Sequence, residues 1–109
     1  MPATIPHIRF AEVRGVEGMA EATADSPRAR RNLLLGLWAA RRLGLPEADT
    51  APYCRAVMEA DHEEQGDGDV LRKLAADLAA AGRPEPEGAL REALVAAQRR
   101  AFDETRHHD

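Results

Sequence analysis

The sequence lacks several features that mark particular classes of protein. Its 109 residues include a single cysteine, Cys54, which excludes an internal disulfide. It has only one tryptophan, one tyrosine and two phenylalanines, and the scarcity of aromatic and β-branched residues argues against β-sheet. Positive charge is not in excess either, because the net charge is −4. No nucleic-acid partner is therefore expected.

Long apolar runs and enzyme motifs are also missing. The longest mainly apolar segment, Leu33–Ala40, is far shorter than the roughly 20 residues that a membrane-spanning helix needs. The N-terminus has no basic start followed by an apolar stretch, so no secretory signal is indicated. We expect a cytoplasmic protein without direct membrane insertion. Since neither a glycine-rich phosphate loop nor a serine nucleophile motif occurs, we predict no catalytic residues and no required cofactor or metal.

Good helix formers dominate what is present. Much of the 44% hydrophobic fraction is alanine and leucine, which together with arginine and glutamate favour helix. Ser26 followed by Pro27 predicts a helix start, and Gly44 followed by Pro46 predicts its end near Leu43. By the same logic a second helix begins at Thr50–Pro52, a third begins at Asp67 or Gly68 and ends at Gly82, and a fourth runs from near Pro86 past Phe102.

The distribution of apolar residues predicts how these helices pack. The first helix is apolar nearly all round between Leu33 and Ala40, while the others carry apolar stripes at three- and four-residue spacing. The economical arrangement surrounds the first helix with the other three. We therefore predict an all-α protein: a small four-helix bundle over residues 26–106, a flexible or marginally helical N-terminal arm over residues 1–25, and a frayed tail at 107–109. The fourth helix is expected to bury Leu90, Leu94, Ala97, Ala101 and Phe102.

The segment DHEEQGDGDVLR, Asp61–Arg72, has oxygen-bearing residues and a glycine where a helix–loop–helix calcium site has them. Its twelfth position must supply a bidentate carboxylate, but it holds Arg72, so a tight turn followed by a helix start is the better interpretation. Cys54 has no partner that the sequence singles out, which indicates a partly buried structural thiol.

Arginines cluster at the start of the first helix, at positions 28, 30 and 31. Cations are slightly unfavourable at a helix N-terminus, so another group is expected to use them. Pairing with the acidic Glu59–Asp69 segment is the favoured interpretation. An acidic partner surface, or weak contact of Arg30 and Arg31 with the phosphates of ATP or ADP, is the functional alternative. Trp38 lies within the apolar run and is predicted to be a core residue.

Two long blocks of the chain resemble a known family. ARRNLLLGLWAARRLGL, Ala29–Leu45, and EADHEEQGDGDVLRKLAADLAAAG, Glu59–Gly82, are similar in order and spacing to the zeta subunit of alphaproteobacterial F-type ATP synthase. With the region of the fourth helix, the resemblance covers about residues 29–104. The motif positions that carry it include Arg31, Asn32, Gly36, Trp38, Asp61, Gly66 and Asp69.

The resemblance implies a regulatory function. Members of that family are small four-helix proteins that inhibit ATP hydrolysis by inserting an N-terminal arm into the catalytic head of the synthase. Such an arm folds as it binds its partner. In this chain Ile8, Phe10 and Val13 are the apolar arm residues that could contact a partner. The phenylalanine-punctuated pattern of the family arm is absent here, and Phe10 is the only phenylalanine in residues 1–25.

Three functions follow from these observations. The first is a zeta-like protein that docks on the catalytic head of the synthase and inhibits hydrolysis. The second is a protein-interaction module of the same fold whose inhibitory arm has diverged. The third is a nucleotide sensor that uses the arginine cluster.

Overall fold

The computed structural model of the chain describes residues 10–61 and 68–105, and their regular structure is entirely helical. A short 3-10 helix, Phe10–Glu12, precedes five α-helices: α1 Glu17–Ala22, α2 Pro27–Leu43, α3 Glu47–Ala60, α4 Gly68–Ala80 and α5 Glu87–Thr105. The all-α prediction is confirmed. The predicted count of four helices is not confirmed, because α1 adds a fifth helix.

The ends of α2 follow from local signals in the sequence. The hydroxyl of Ser26 accepts a hydrogen bond from the backbone N–H of Ala29 at 3.1 Å, and Pro27 occupies the first helical position. At the other end Gly44 has a φ of 71°, which glycine adopts without strain. The N–H of Leu45 then bonds the carbonyl of Ala40 at 3.1 Å, which is the hydrogen bond of a Schellman cap. The predicted bounds of this helix are confirmed.

Helix α2 is the centre of the molecule. Every residue from Arg30 to Ala40 is buried, and α2 contacts each of the other four α-helices. Leu34, Leu35, Trp38 and Ala39 join buried side chains of α3, α4 and α5 in the larger apolar cluster. The prediction that the apolar run fills the core is therefore confirmed.

A smaller apolar cluster covers the remaining side of α2. Leu33 and Leu37 pack there with Val16 and Met19 from the N-terminal region and with Ala51 and Cys54 of α3. A helix that is apolar all round needs partners on every side. Helix α3 covers part of the Leu33–Leu37 side, and the N-terminal segment covers the rest.

The close approach of α2 and α3 depends on Gly36. A Cβ atom added at Gly36 would lie 2.9 Å from the Cα of Cys54, closer than packed side chains allow. The absence of a side chain at Gly36 thus lets α2 and α3 approach closely.

The predicted start of α3 at Thr50–Pro52 is wrong by about one turn. The helix begins at Glu47, directly after Pro46, so Pro52 lies inside it. Pro52 lacks the N–H that would bond the carbonyl of Ala48. Both residues are exposed, so water can satisfy that carbonyl and the helix tolerates the proline.

Helices α4 and α5 complete the larger cluster. Val70, Leu71, Leu74 and Leu78 of α4 are buried, as are Leu90, Leu94, Ala97 and Ala101 of α5. The prediction that Phe102 is buried is wrong, because its side chain is 51% exposed. The buried stripe advances from Ala97 to Ala101 and on to Thr105, and Phe102 lies about 100° away from Ala101 around the helix axis.

Candidate docking site

A polar network joins the start of α2 to the end of α3. The carboxylate of Asp61, which directly follows α3, accepts hydrogen bonds from Arg28 Nε at 2.7 Å, Arg28 Nη2 at 2.6 Å and Asn32 Nδ2 at 2.7 Å. The Nη2 atom of Arg31 lies 3.6 Å from the same carboxylate. The hydrogen bonds from Arg28 are the main reason why the pKa of Asp61 lies below its usual range, and Asn32 adds to the effect.

The spacing of the α2 residues explains the network. Residues 28, 31 and 32 are three and four positions apart and so lie on one face of the first turns of α2. The positive end of the α2 dipole lies at these turns and disfavours Arg28 and Arg31 there. The negative charge of Asp61 offsets part of this cost. Three of the family-motif positions, Arg31, Asn32 and Asp61, are therefore brought together. Arg31 also donates from Nε to the side-chain oxygen of Asn32 at 2.9 Å.

Arg30 points to another side of α2 and holds the N-terminal segment. Its guanidinium donates to the hydroxyl of Thr23 at 2.8 Å, to the carbonyl of Ala20 at 2.6 Å and to the carboxylate of Glu104 at 2.6 Å. The ring of Phe10 lies under the same guanidinium, with its centroid 5.0 Å from Cζ. One buried side chain thus connects the N-terminal segment, α2 and α5.

The arginines predicted to contact a nucleotide are already engaged within the chain. Arg30 bonds the three groups just described, and Arg31 lies between Asn32 and Asp61. A phosphate would have to compete with these buried, charge-assisted interactions, which are among the stronger hydrogen bonds in proteins.

The predicted arm residues divide between described and undescribed parts of the chain. Phe10 and Val13 are partly buried and pack against the apolar clusters. Ile8 lies outside the described residues. Their role in contacting a partner remains a prediction.

The other motif positions have structural surroundings of different kinds. Gly36 and Trp38 are buried in α2, and the guanidinium of Arg42 lies 4.8 Å from the Trp38 ring centroid. Gly66 lies outside the described residues, as does most of the calcium-like segment. At its two described ends Asp61 binds Arg28, and Asp69 forms an ion pair with Arg72. Within residues 10–61 and 68–105, no three metal-ligating side chains cluster.

Cys54 is completely buried against α2. Burial raises the pKa of its thiol to about 12, so the thiol is protonated at neutral pH and does not act as a nucleophile. Tyr53 beside it donates to Asp77 at 2.8 Å, and burial together with this bond raises the pKa of the phenol.

A groove next to the Asp61 network was missed by the sequence reasoning. It has a volume of about 490 Å³ and lies between the start of α2 and the last turns of α5. Its lining residues are Pro27, Arg28, Arg31, Gln98, Arg99 and Phe102. The only signal that could have revealed it is that Phe102 falls outside the helical register of its buried neighbours.

A comparison with protein families gives a match over most of the helices described above. The model of the family described as ATPase inhibitor subunit zeta matches residues 21–104. This chain belongs to that family. The match spans α2, α3, α4 and almost all of α5, together with the last residues of α1. It includes both the Asp61 network and the groove.

The zeta-family match leaves out residues 1–20, which contain Phe10 and Val13. No curated protein and no solved structure matches the chain in the corresponding comparisons. In the described part of the structure, no helix is both long and apolar enough to cross a membrane. The assignment to the zeta family supports a role in regulating ATP synthase.

Proposed function

We propose that this chain docks on the catalytic head of F-type ATP synthase and inhibits ATP hydrolysis. The observation that carries the proposal is the family match over residues 21–104, which covers the helices that form the larger apolar cluster. In this proposal residues 26–106 form the docking body and residues 1–25 form the inhibitory arm.

The N-terminal segment is suited to a change of partner. Helix α1 has six residues, too few to be stable as an isolated helix in water. It depends on the burial of Val16 and Met19 and on the hydrogen bonds from Arg30. A segment held in this way can leave the bundle while the larger cluster stays packed. Contacts with another protein can then offset the entropy cost of ordering the segment.

The second candidate is an interaction module of the same fold that docks without inhibiting. The observation that favours it is the boundary of the family match, since residues 1–20 lie outside it. The two candidates share the docking body and differ only in what the N-terminal segment does on the synthase.

A hydrolysis assay with the purified catalytic head separates the two candidates. The full-length chain is titrated into the ATPase reaction, and binding is measured in parallel. Inhibition that saturates with binding is expected, as is loss of inhibition with retained binding when residues 1–25 are removed. Circular dichroism of the shortened chain checks that residues 26–109 remain helical. Binding of the full-length chain without any change in hydrolysis would favour the second candidate, and absence of binding would contradict both.

A further inference from the structure

The N-terminal segment, residues 10–25 of the described chain, is tied to the bundle by the buried side chain of Arg30. The guanidinium of Arg30 donates hydrogen bonds to the hydroxyl of Thr23 and to the carbonyl of Ala20, both in the segment. It also donates to the carboxylate of Glu104 on α5 at 2.6 Å. These three hydrogen bonds, which we call the Arg30 clasp, therefore join the segment to α2 and α5 at once.

Glu104 supplies the negative charge of the Arg30 clasp. The side chain of Arg30 is only 9% exposed, and its other two acceptors are an uncharged hydroxyl and an uncharged carbonyl. Removing the carboxylate partner of a buried cation is costly, so Glu104 stabilises Arg30 in the orientation that reaches Ala20 and Thr23. The clasp can thus be loosened from α5, without any change in the segment itself.

The rest of the segment is packed less completely than the bundle. Val16 and Met19 are buried in the smaller apolar cluster. A cleft of about 300 Å³ lies nearer the start of the segment, where Glu12 and Val13 face the end of α2 and the start of α3. Since protein interiors rarely leave a void larger than a water molecule, the packing there is incomplete. The Arg30 clasp therefore carries a large share of the attachment.

We propose that the Arg30 clasp is an autoinhibitory contact, which keeps the N-terminal segment from acting on the synthase. The inference rests on the proposed function, in which residues 1–25 form the inhibitory arm. While the clasp is closed, Val16 and Met19 are buried against their own bundle and are not available to the catalytic head. The chain then inhibits only after the segment has opened, and the clasp sets how often it does so.

This arrangement predicts an effect opposite in sign to that of a purely structural role. When only the open form binds productively, the apparent affinity is reduced by the fraction of molecules that are open. Loosening the clasp raises that fraction, so it should strengthen inhibition even though it weakens the fold. If the clasp merely stabilised the docking body, the same change would leave inhibition equal or weaker.

Titration of full-length variants into the hydrolysis assay tests the inference. Arg30→Gln removes the clasp, and Glu104→Gln removes its negative charge. The half-inhibitory concentration should fall by about fivefold or more in Arg30→Gln and by at least about twofold in Glu104→Gln. Arg100→Gln is the matched control, because Arg100 binds the other oxygen of the Glu104 carboxylate and is not part of the clasp. It should change the half-inhibitory concentration by less than about 1.5-fold.

Two further measurements relate potency to opening. Hydrogen exchange of residues 17–22 should be faster in both clasp variants, and the gain in potency should follow the gain in exchange rate. Circular dichroism shows whether each variant is folded. If Arg30→Gln is not folded, Glu104→Gln decides the matter alone.

The possible outcomes separate the inference from the proposed function. If the wild type inhibits and the folded clasp variants inhibit equally or less, the inference is wrong and the proposed function stands. A gain in potency as large in Arg100→Gln as in Glu104→Gln would also overturn the inference. If the wild type is silent and Arg30→Gln inhibits, both are supported, with the closed form fully inactive. If no variant inhibits, both are wrong.

Discussion

Two parts of the molecule cover α2, and they differ in how much of the fold depends on each. Helices α3, α4 and α5 cover it with fourteen, thirteen and nineteen residues and bury the larger apolar cluster. The N-terminal segment covers it with a six-residue helix, two buried apolar side chains and the hydrogen bonds of Arg30. The comparison teaches that extended packing stabilises the bundle, whereas the N-terminal segment is held by fewer contacts. We therefore expect that segment to detach by itself.

The largest effect is expected from a cavity in the larger cluster. Leu74 is completely buried in α4, so Leu74→Ala removes apolar contacts and leaves a void. The free energy of unfolding should fall by about 3 kcal/mol, measured by urea denaturation. Because the cluster unites four helices, all of them should lose protection together in hydrogen exchange. Loss of protection confined to α4 would contradict this part of the comparison.

A smaller and local effect is expected at Arg30. Arg30→Gln removes the bonds to Thr23, Ala20 and Glu104 and should weaken the attachment of α1 by about 2 kcal/mol. Hydrogen exchange should become faster in residues 17–22 and stay nearly unchanged in α4.

Arg100→Gln serves as the matched control for this variant. It removes the other arginine that binds the Glu104 carboxylate, at 2.7 Å. Equal acceleration of exchange in α1 and α4 in the Arg30 variant would mean that the N-terminal segment and the bundle open as one unit.

Substitution of Gly36 tests the close contact between α2 and α3. Gly36→Ala gains helix propensity but places a methyl group against the backbone of Cys54. The cost of overpacking should exceed the gain in helix propensity, with a net loss of about 1 kcal/mol in the free energy of unfolding. Gly88→Ala in α5 is the control, because nothing lies within 4 Å of the added Cβ there, and it should be neutral or slightly stabilising. A Gly36→Ala variant more stable than wild type would show that α2 and α3 can separate at little cost.

The smallest effect concerns Asp61 and depends on pH. Its native pKa lies below the value of about 3.9 for an unfolded chain. The ionised carboxylate therefore stabilises the fold above about pH 4, and this contribution is lost as the pH falls below that value. Asp61→Asn should cost about 1 kcal/mol at pH 7, because Arg28, its main partner, is half-exposed.

Thermal unfolding of the Asp61 variant and of wild type across pH 3–7 measures this effect. The difference between the two should shrink toward pH 3. A difference that stays constant over the whole range would show that the carboxylate charge does not contribute.

The features that could be predicted from sequence are those with local causes. Ser26 and Gly44 set the ends of α2 through bonds within a few residues, and the apolar run predicted a central helix. The pairing of Arg28 with the acidic segment followed from charge alone. In contrast, the Arg30–Glu104 bond joins residues that are 74 positions apart, and no local pattern indicates it.

The predictions for Pro52 and Phe102 are wrong because another feature of the chain outweighs the local signal. Thr50–Pro52 predicts a helix start, although Pro46 precedes Pro52 by six residues and the helix tolerates the second proline on an exposed side. The apolar side chain of Phe102 predicts a core position, but the register of α5 places Ala101 and Thr105 inward. The groove follows from that register together with the position of α2, so it required the three-dimensional structure.

Native-state hydrogen exchange of the wild-type chain tests most directly the claim that the N-terminal segment opens without the bundle. Opening free energies are measured for amides of α1, residues 17–22, and for amides around Leu74 in α4 at increasing low concentrations of denaturant. The account predicts an opening free energy for α1 at least about 2 kcal/mol below that of α4, with little dependence on denaturant. Equal opening free energies that converge on global unfolding in both helices would contradict it.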